Sequence, residues 1–151
     1  MPDNSLKAVL DPKSIAIIGA SDNPNKIGGR PLVYLSRFGY RGKVYPINPK
    51  RTETLGYRTY PSLKDLPESP EVAIVAVPGD AALAAVDECA EHGVKAVVLM
   101  SSGFGESDPV SGKEKERQMV LRARVKGMRV IGPNSQGLAN FGFLASFGES
   151  I

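Results

Sequence analysis

Short runs of consecutive apolar residues alternate along this chain with longer segments in which apolar residues recur every three or four positions. A continuous apolar run is typical of a strand buried on both faces of a parallel sheet, whereas the longer period is typical of a helix with one buried face. Such alternation predicts right-handed crossovers between parallel strands. The sequence therefore predicts an α/β, Rossmann-like, doubly wound fold, with a mostly parallel sheet of roughly 5–6 strands and helices on both faces.

Glycine and proline mark the expected ends of these elements. We expect strands at 14–20, 43–48, 71–77, 95–101 and 129–132, and a short strand or irregular segment at 57–62. We expect helices at 31–38 with Leu32, Leu35 and Phe38 on the buried face, from an N-cap at Asp80 to Gly93, and from about 113 to 126. Residues 1–137 are expected to form one ligand-binding domain, and residues 138–151 a tail or the start of a following domain.

Length and composition restrict the class of protein. A chain of 151 residues with 42% apolar residues fits one domain that needs no disulfide or metal to fold. Its single cysteine rules out an internal disulfide and favours a reducing, cytoplasmic location. The sequence has neither an apolar run long enough for a membrane helix nor a signal-peptide pattern. We therefore expect no membrane association.

Positive charge is concentrated in one part of the sequence. The net charge is only +3, but residues 23–52 contain seven basic residues and no acidic one. The seven are Lys26, Arg30, Arg37, Arg41, Lys43, Lys50 and Arg51. A local field of this sign suits a polyanionic ligand, although a solvated basic face would look the same. Nucleic acid is not expected, because the stretch lacks interleaved aromatics and any helix-turn-helix or zinc signature.

The loops that follow the strands are the candidate ligand site, because open parallel sheets bind ligands at the carboxyl ends of their strands. The first, residues 19–29, is a strand-to-helix glycine loop whose backbone N–H groups could face a phosphate. It is neither a G-x-G-x-x-G nor a P-loop motif. The second strand ends in Asn48-Pro49-Lys50-Arg51 and lacks the acidic residue that would hold the ribose of NAD, which leaves NADP open. The glycine loop is expected at the surface, so that Gly28→Val should abolish binding without unfolding the domain.

Five segments together resemble a known family. They read IIGASDNPNKIGGRPLVYL, GKVYPINPK, VAIVAVP, LMSSGFGE and RVIGPNSQGLAN, and in this order they look like the coenzyme A-binding domain of nucleoside-diphosphate-forming acyl-CoA synthetases. That family includes ADP-forming acetate–CoA ligase and is related to the succinyl-CoA synthetase α subunit. The resemblance covers nearly the whole chain. It implies a domain that binds CoA but is inactive without the histidine-bearing and ATP-grasp domains of the ligase, its expected partners.

The resemblance also implies roles for particular residues. Those expected to hold the CoA phosphates are Gly19, Ala20, Ser21, Lys26, Ile27 and Gly28. Those expected near the ribose phosphate are Asn48, Pro49 and Lys50, and those expected along the pantetheine arm are Val77, Pro78, Ser101, Ser102 and Gly103. Asn134, Ser135 and Gln136 would lie near the thiol, where many relatives have cysteine in place of Ser135.

The sequence offers no catalytic residue of its own. His92 stands at a predicted helix end, where a cation is favourable, and Cys89 falls on a predicted buried stripe. No metal-ligand cluster and no nucleophile motif is present. Two alternatives stay open: a free-standing CoA-binding protein, and an NAD(P)-binding module of an oxidoreductase. The unfinished-looking tail argues against the first, and the long first loop argues against the second.

Overall fold

The computed structural model describes residues 4–100, 109–132, 137–140 and 143–146. Its helices are α1 (Asn4–Leu10), α2 (Arg30–Arg37), α3 (Gly79–Glu91) and α4 (Ser111–Val125), with a short 3-10 helix at Leu63–Asp65. Its strands are β1 (Ser14–Ile18), β2 (Lys43–Ile47), β3 (Glu53–Thr54), β4 (Tyr57–Arg58), β5 (Val72–Val75), β6 (Ala96–Leu99), β7 (Arg129–Ile131), β8 (Gly137–Asn140) and β9 (Phe143–Ser146). No helix in these ranges is long and apolar enough to cross a bilayer.

Five strands form one parallel sheet in the order β2-β1-β5-β6-β7. This confirms the predicted α/β fold class. The segment expected as a short strand at 57–62 contributes β4, which pairs antiparallel with β3, and Tyr60 just after it makes an isolated parallel bridge to Ile47 of β2. The chain reverses at Leu55 and Gly56, which both have positive φ, and this turn directs β4 back along β3.

The strand order reverses at β1. From β1 the chain crosses through α2 to β2 on one side, and it later returns to β5 on the other side of β1. Loops that leave β1 and β5 therefore diverge to opposite faces and open a crevice at the carboxyl end of the sheet, where open α/β folds bind ligands. The glycine loop (residues 19–29) leaves β1 at this point.

Both faces of the sheet are buried. Along β1, Ala16 faces a cluster that includes Val86 and Cys89 of α3 and Met119 of α4. Its neighbours Ile15 and Ile17 face a second cluster on the opposite side, which contains Leu32 and Leu35 of α2. Alternate side chains of a strand point to opposite faces, so a continuously apolar strand is what two helical layers require.

Two expectations about helix ends are wrong. Phe38 lies beyond the end of α2, is 56% exposed, and is replaced on the buried face by Tyr34. Asp80 is not the N-cap of α3, because the helix begins at Gly79 with Pro78 as the cap. Asp80 instead lies in the first turn, where a carboxylate is favourable to the helix dipole.

A cofactor cleft at the carboxyl end of the sheet

A cleft of about 530 Å³ opens where the strand order reverses. One wall is formed by residues that end or follow β1 and β2, and the other by one face of α3 together with the segment 61–63. The lining residues are Ile18, Gly19, Ile47, Asn48, Pro49, Lys50, Pro61, Ser62, Leu63, Val77, Ala81, Ala84, Ala85 and Glu88. Of the residues predicted for the site, the structure brings together Gly19, Asn48, Pro49, Lys50 and Val77 here.

The glycine loop folds back on itself. The N–H groups of Gly19 and Ala20 both donate to the carbonyl of Ile47, at 3.1 and 3.2 Å, and fix the start of the loop to β2. At the other end, the Ser21 N–H donates to the carbonyl of Gly28 at 3.2 Å. Several N–H groups that sequence reasoning assigned to phosphate binding are therefore used within the protein. The N–H groups of Ile27 and Gly28 make no hydrogen bond to any described residue, and they stand just before α2.

Gly28 and Gly29 are buried, in contrast to the expectation of a surface loop. A Cβ atom at Gly28 would overlap the carbonyl oxygen of Gly19, and one at Gly29 would overlap that of Asn23. Both obstacles are backbone atoms, which cannot rotate away. The expectation that Gly28 lies at the surface is therefore wrong, and Gly28→Val should destabilise the fold because an added side chain would collide with backbone.

Asn48 joins the loop after β2 to the glycine loop. Its Nδ2 donates to the carbonyl of Ala20 at 2.9 Å, and its Oδ1 accepts from the Lys50 N–H at 2.9 Å. Both ends of the amide are thus engaged within the protein. Asn48 holds the site in shape, and the neighbouring Lys50 projects at the cleft without an ion pair to any described residue.

The seven basic residues do not form one patch. The helix α2 runs from the carboxyl to the amino end of the sheet, so Arg37, Arg41 and Lys43 are carried away from the cleft, and Lys43 pairs with Glu68 at 3.3 Å. The other four, Lys26, Arg30, Lys50 and Arg51, stay at the carboxyl end. Arg51 is neutralised there by an ion pair with Asp22. The positive field at the cleft is therefore smaller than the sequence suggests.

Sequence reasoning missed two parts of the site. The first is Asp22, whose Oδ1 accepts the N–H of Leu55 at 3.2 Å while its other oxygen pairs with Arg51. It thereby ties the β3–β4 turn to the glycine loop across a long sequence separation. The second is the wall formed by α3, where Ala81, Ala84 and Ala85 stand at i, i+3 and i+4 on one face of the helix. This spacing of small residues was visible in the sequence, and it indicates a helix face that a ligand can approach closely.

The other predicted residues lie beside the cleft, in the exposed part of the glycine loop, or outside the described residues. Val77 lies so close to Gly19 that a Cβ added to that glycine would stand 2.8 Å from its Cγ1, and Pro78 is the N-cap of α3. Lys26 and Ile27 lie in the exposed part of the glycine loop. The residues Ser101, Ser102, Gly103, Asn134, Ser135 and Gln136 lie outside the described residues.

The two residues judged non-catalytic have the surroundings expected of them. Cys89 is fully buried, which confirms its place in the core, and burial raises the pKa of its thiol to about 12. A neutral, inaccessible thiol is a poor nucleophile. His92 is the exposed C-cap of α3, and its carbonyl accepts a hydrogen bond from the Ser69 hydroxyl.

The fold and the cleft define a Rossmann-like domain for a phosphorylated nucleotide cofactor. The features that suit an extended phosphate ligand are a tight glycine loop at the switch point, the N–H groups of Ile27 and Gly28, and Lys50, and within the described part of the chain neither those N–H groups nor the Lys50 ammonium has a partner.

Comparison with known proteins identifies the cofactor. Residues 13–140 match the family described as the CoA binding domain. The α subunit of ADP-forming acetate–CoA ligase I from Pyrococcus furiosus is 41% identical over 138 residues, which cover 89% of this chain and 30% of that protein. ADP-forming acetate–CoA ligase II from Archaeoglobus fulgidus is 40% identical over 149 residues, which cover 97% of this chain and 22% of that protein.

A solved structure agrees. It is a dinucleotide-forming acetyl-coenzyme A synthetase 1 from Ca. Korarchaeum cryptofilum in complex with phosphate and ADP, with a TM-score of 0.88 and 42% identity, and the match covers 95% of this chain and 31% of that one. The chain thus belongs to the CoA-binding domain family, in the form found in ADP-forming acyl-CoA synthetases, and its cofactor is coenzyme A. It spans less than a third of the length of these relatives.

Proposed function

We propose that this chain supplies the CoA site of an ADP-forming acyl-CoA ligase and performs no reaction by itself. The observation that carries this proposal is the cleft at the strand switch point, which is lined by Gly19 of the glycine loop and by Lys50, a lysine without an ion pair to any described residue. Its relatives are ligases that are several times longer, which supports a division of labour between this domain and others.

In the proposed complex the phosphates of CoA approach the end of the glycine loop. The unused N–H groups of Ile27 and Gly28 and the start of α2 face that position, and the N–H dipoles of a helix start favour an anion. Lys50, in the loop that follows β2, takes the 3′-phosphate. The pantetheine arm passes Val77 and Pro78 toward the segments 101–103 and 134–136.

The chemistry of the whole ligase is then shared between domains. A histidine in another domain carries phosphate from ATP to the carboxylate substrate, and the CoA thiolate attacks the acyl phosphate and releases inorganic phosphate. This domain holds CoA so that its thiol reaches that site. Residues 1–137 form the binding domain in this scheme, and residues 138–151 lead toward the next one. The thiol cofactor and the single cysteine support a cytoplasmic location.

Calorimetry with the Lys50→Ala variant tests the proposal. A charge-assisted contact to a phosphate is worth about 1.5–3 kcal/mol, so CoA should bind roughly tenfold or more weakly to this variant. Dephospho-CoA lacks the 3′-phosphate and should lose less. The matched control is Lys95→Ala, which removes an exposed lysine just before β6, at the amino end of the sheet.

The possible results separate cleanly. Equal losses for CoA and dephospho-CoA would show that Lys50 is not near the 3′-phosphate, and no loss for either would place it outside the site. Failure of the unsubstituted chain to bind CoA would refute the proposal as a whole. NADP⁺ should not displace CoA, because the first loop is too long to be the G-x-G-x-x-G loop of a dinucleotide-binding domain.

A further inference from the structure

Glu88 is an unpaired carboxylate in the wall of a cleft whose ligand is a polyanion. It is half-buried, it lines the cleft, and its side chain makes no hydrogen bond or ion pair with any described residue. Neighbouring acids of α3 do have partners, because Asp87 pairs with Arg122 at 3.1 Å and Asp80 with Lys115 at 3.6 Å. A free negative charge would weaken the binding of an anion unless it faced a hydrogen-bond donor of the ligand.

The position of Glu88 along α3 shows which part of the ligand it meets. Ala81, Ala84, Ala85 and Glu88 lie at i, i+3, i+4 and i+7, so they share one face of the helix and line the cleft in sequence. The helix runs away from the carboxyl end of the sheet, which places Glu88 about 10 Å beyond Ala81 and away from the glycine loop. In the proposed complex Glu88 therefore lies at the end of the cleft away from the phosphates.

Between these ends the cleft is lined by apolar side chains. Ile47, Leu63 and Ala85 are among these side chains, and an apolar lining suits the faces of a planar heteroaromatic group more than the polar amides of a flexible chain. The exposed 6-amino group of adenine is a donor at the edge of such a ring. The other neutral donors of CoA are the ribose 2′-hydroxyl, which stands beside the 3′-phosphate that Lys50 takes, and the hydroxyl and amides of the pantetheine arm, which passes Val77 in the proposed complex.

We propose that Glu88 determines base specificity, by accepting a hydrogen bond from the 6-amino group of the adenine of CoA. This inference rests on the proposed function, and it adds a residue and a discrimination that the family membership does not specify. A guanine or hypoxanthine ring would present a carbonyl oxygen at the same position. That oxygen would face the carboxylate without a proton between them, so the site would reject such a base.

The test compares CoA with desamino-CoA, in which hypoxanthine replaces adenine, on the 151-residue chain and on Glu88→Gln. We expect the unsubstituted chain to prefer CoA by roughly tenfold to a hundredfold, the range of a hydrogen bond to a charged group. Glutamine can accept from an amino group or donate to a carbonyl. The preference should therefore fall to within about threefold in Glu88→Gln, with CoA bound more weakly than before.

The matched control is Glu91→Gln, which removes the same charge from an exposed position at the end of α3. Removing a negative charge should, by general electrostatics alone, strengthen the binding of CoA and desamino-CoA equally. We expect this result for Glu91→Gln and not for Glu88→Gln. Equal affinities of the two ligands for the unsubstituted chain would overturn the base assignment alone, as would an unchanged preference in a folded Glu88→Gln variant. Absence of CoA binding by the unsubstituted chain would overturn the proposed function with it.

Discussion

The substitution Gly28→Ala tests whether backbone packing closes the glycine loop. The added Cβ would overlap the Gly19 carbonyl oxygen, so one strand end or the loop must move. Overpacking of this kind costs about 1–3 kcal/mol, and disturbing the hydrogen bond from Ser21 to the Gly28 carbonyl adds about 0.5–1.5 kcal/mol. We therefore expect the free energy of unfolding to fall by about 2–4 kcal/mol, which corresponds to a decrease in Tm of roughly 4–16 °C for a domain of this size.

Thermal unfolding followed by circular dichroism measures this loss without any ligand. The control is Asn25→Ala, in the exposed part of the same loop, which should change the free energy of unfolding by less than about 0.5 kcal/mol. CoA is then added at a temperature at which both variants are folded. Gly28→Ala should show a smaller stabilisation by CoA than Asn25→Ala, because its displaced loop no longer presents the Ile27 and Gly28 N–H groups. A Tm for Gly28→Ala within about 2 °C of the parent would refute the packing argument.

Three further predictions concern pH, the turn of the β3–β4 hairpin and catalysis. Burial raises the pKa of the Cys89 thiol from 9.0 to about 12, so the contribution of the neutral thiol to the free energy of unfolding is fully present below pH 9. Above pH 9 the free energy of unfolding should fall by up to about 1.4 kcal/mol per pH unit. Denaturant titrations should show a shallower slope for Cys89→Ala. Asp22→Ala should speed hydrogen exchange at the Leu55 amide, whereas Asp22→Asn, which keeps the acceptor oxygen, should preserve its protection; equal exchange in both variants would contradict the assigned bond. Incubation of this chain with ATP, acetate and CoA should form no acetyl-CoA, and robust synthesis would show that it carries a catalytic site of its own.

The fold could be predicted because its signals are local. Continuous apolar strands such as Ser14–Ile18 and glycines such as Gly93 and Gly127 after the helices each act within a few residues, and the structure confirms them. The errors lie where tertiary contacts decide. The period that placed Phe38 on the buried face of α2 continues one position past the end of the helix, and nothing in the local sequence of Asp80 shows that Pro78 takes its place as the cap.

The location of the site could be predicted from the sequence, whereas the hydrogen bonds and ion pairs within it could not. The strand-end loops are necessarily close together in a parallel sheet, which is why Gly19, Lys50 and Val77 could be assigned to one cleft. The partners of Asp22 and Asn48 depend on contacts between residues about 30 positions apart. Counting charges along the sequence likewise does not show where they lie in space. Arg37 and Lys50 belong to the same basic stretch, but they lie at opposite ends of the sheet.

The length of the glycine loop follows from the same contacts. Gly19 and Gly28 are too far apart in sequence for the dinucleotide fingerprint, and on that ground the loop could be dismissed as an irregular connection. In the structure the residues between them fold back, so that Gly28 packs against the carbonyl of Gly19. The hydrogen bond from the Ser21 N–H to the Gly28 carbonyl closes the loop. The helix start thus reaches the end of β1 as closely as a short loop would bring it. The extra residues add Asp22, which ties the loop to the β3–β4 turn, and Lys26, which adds a positive charge beside the N–H groups of Ile27 and Gly28. A longer loop is therefore compatible with a phosphate site, provided that glycine occupies the two positions, 19 and 28, where the two ends of the loop backbone contact each other.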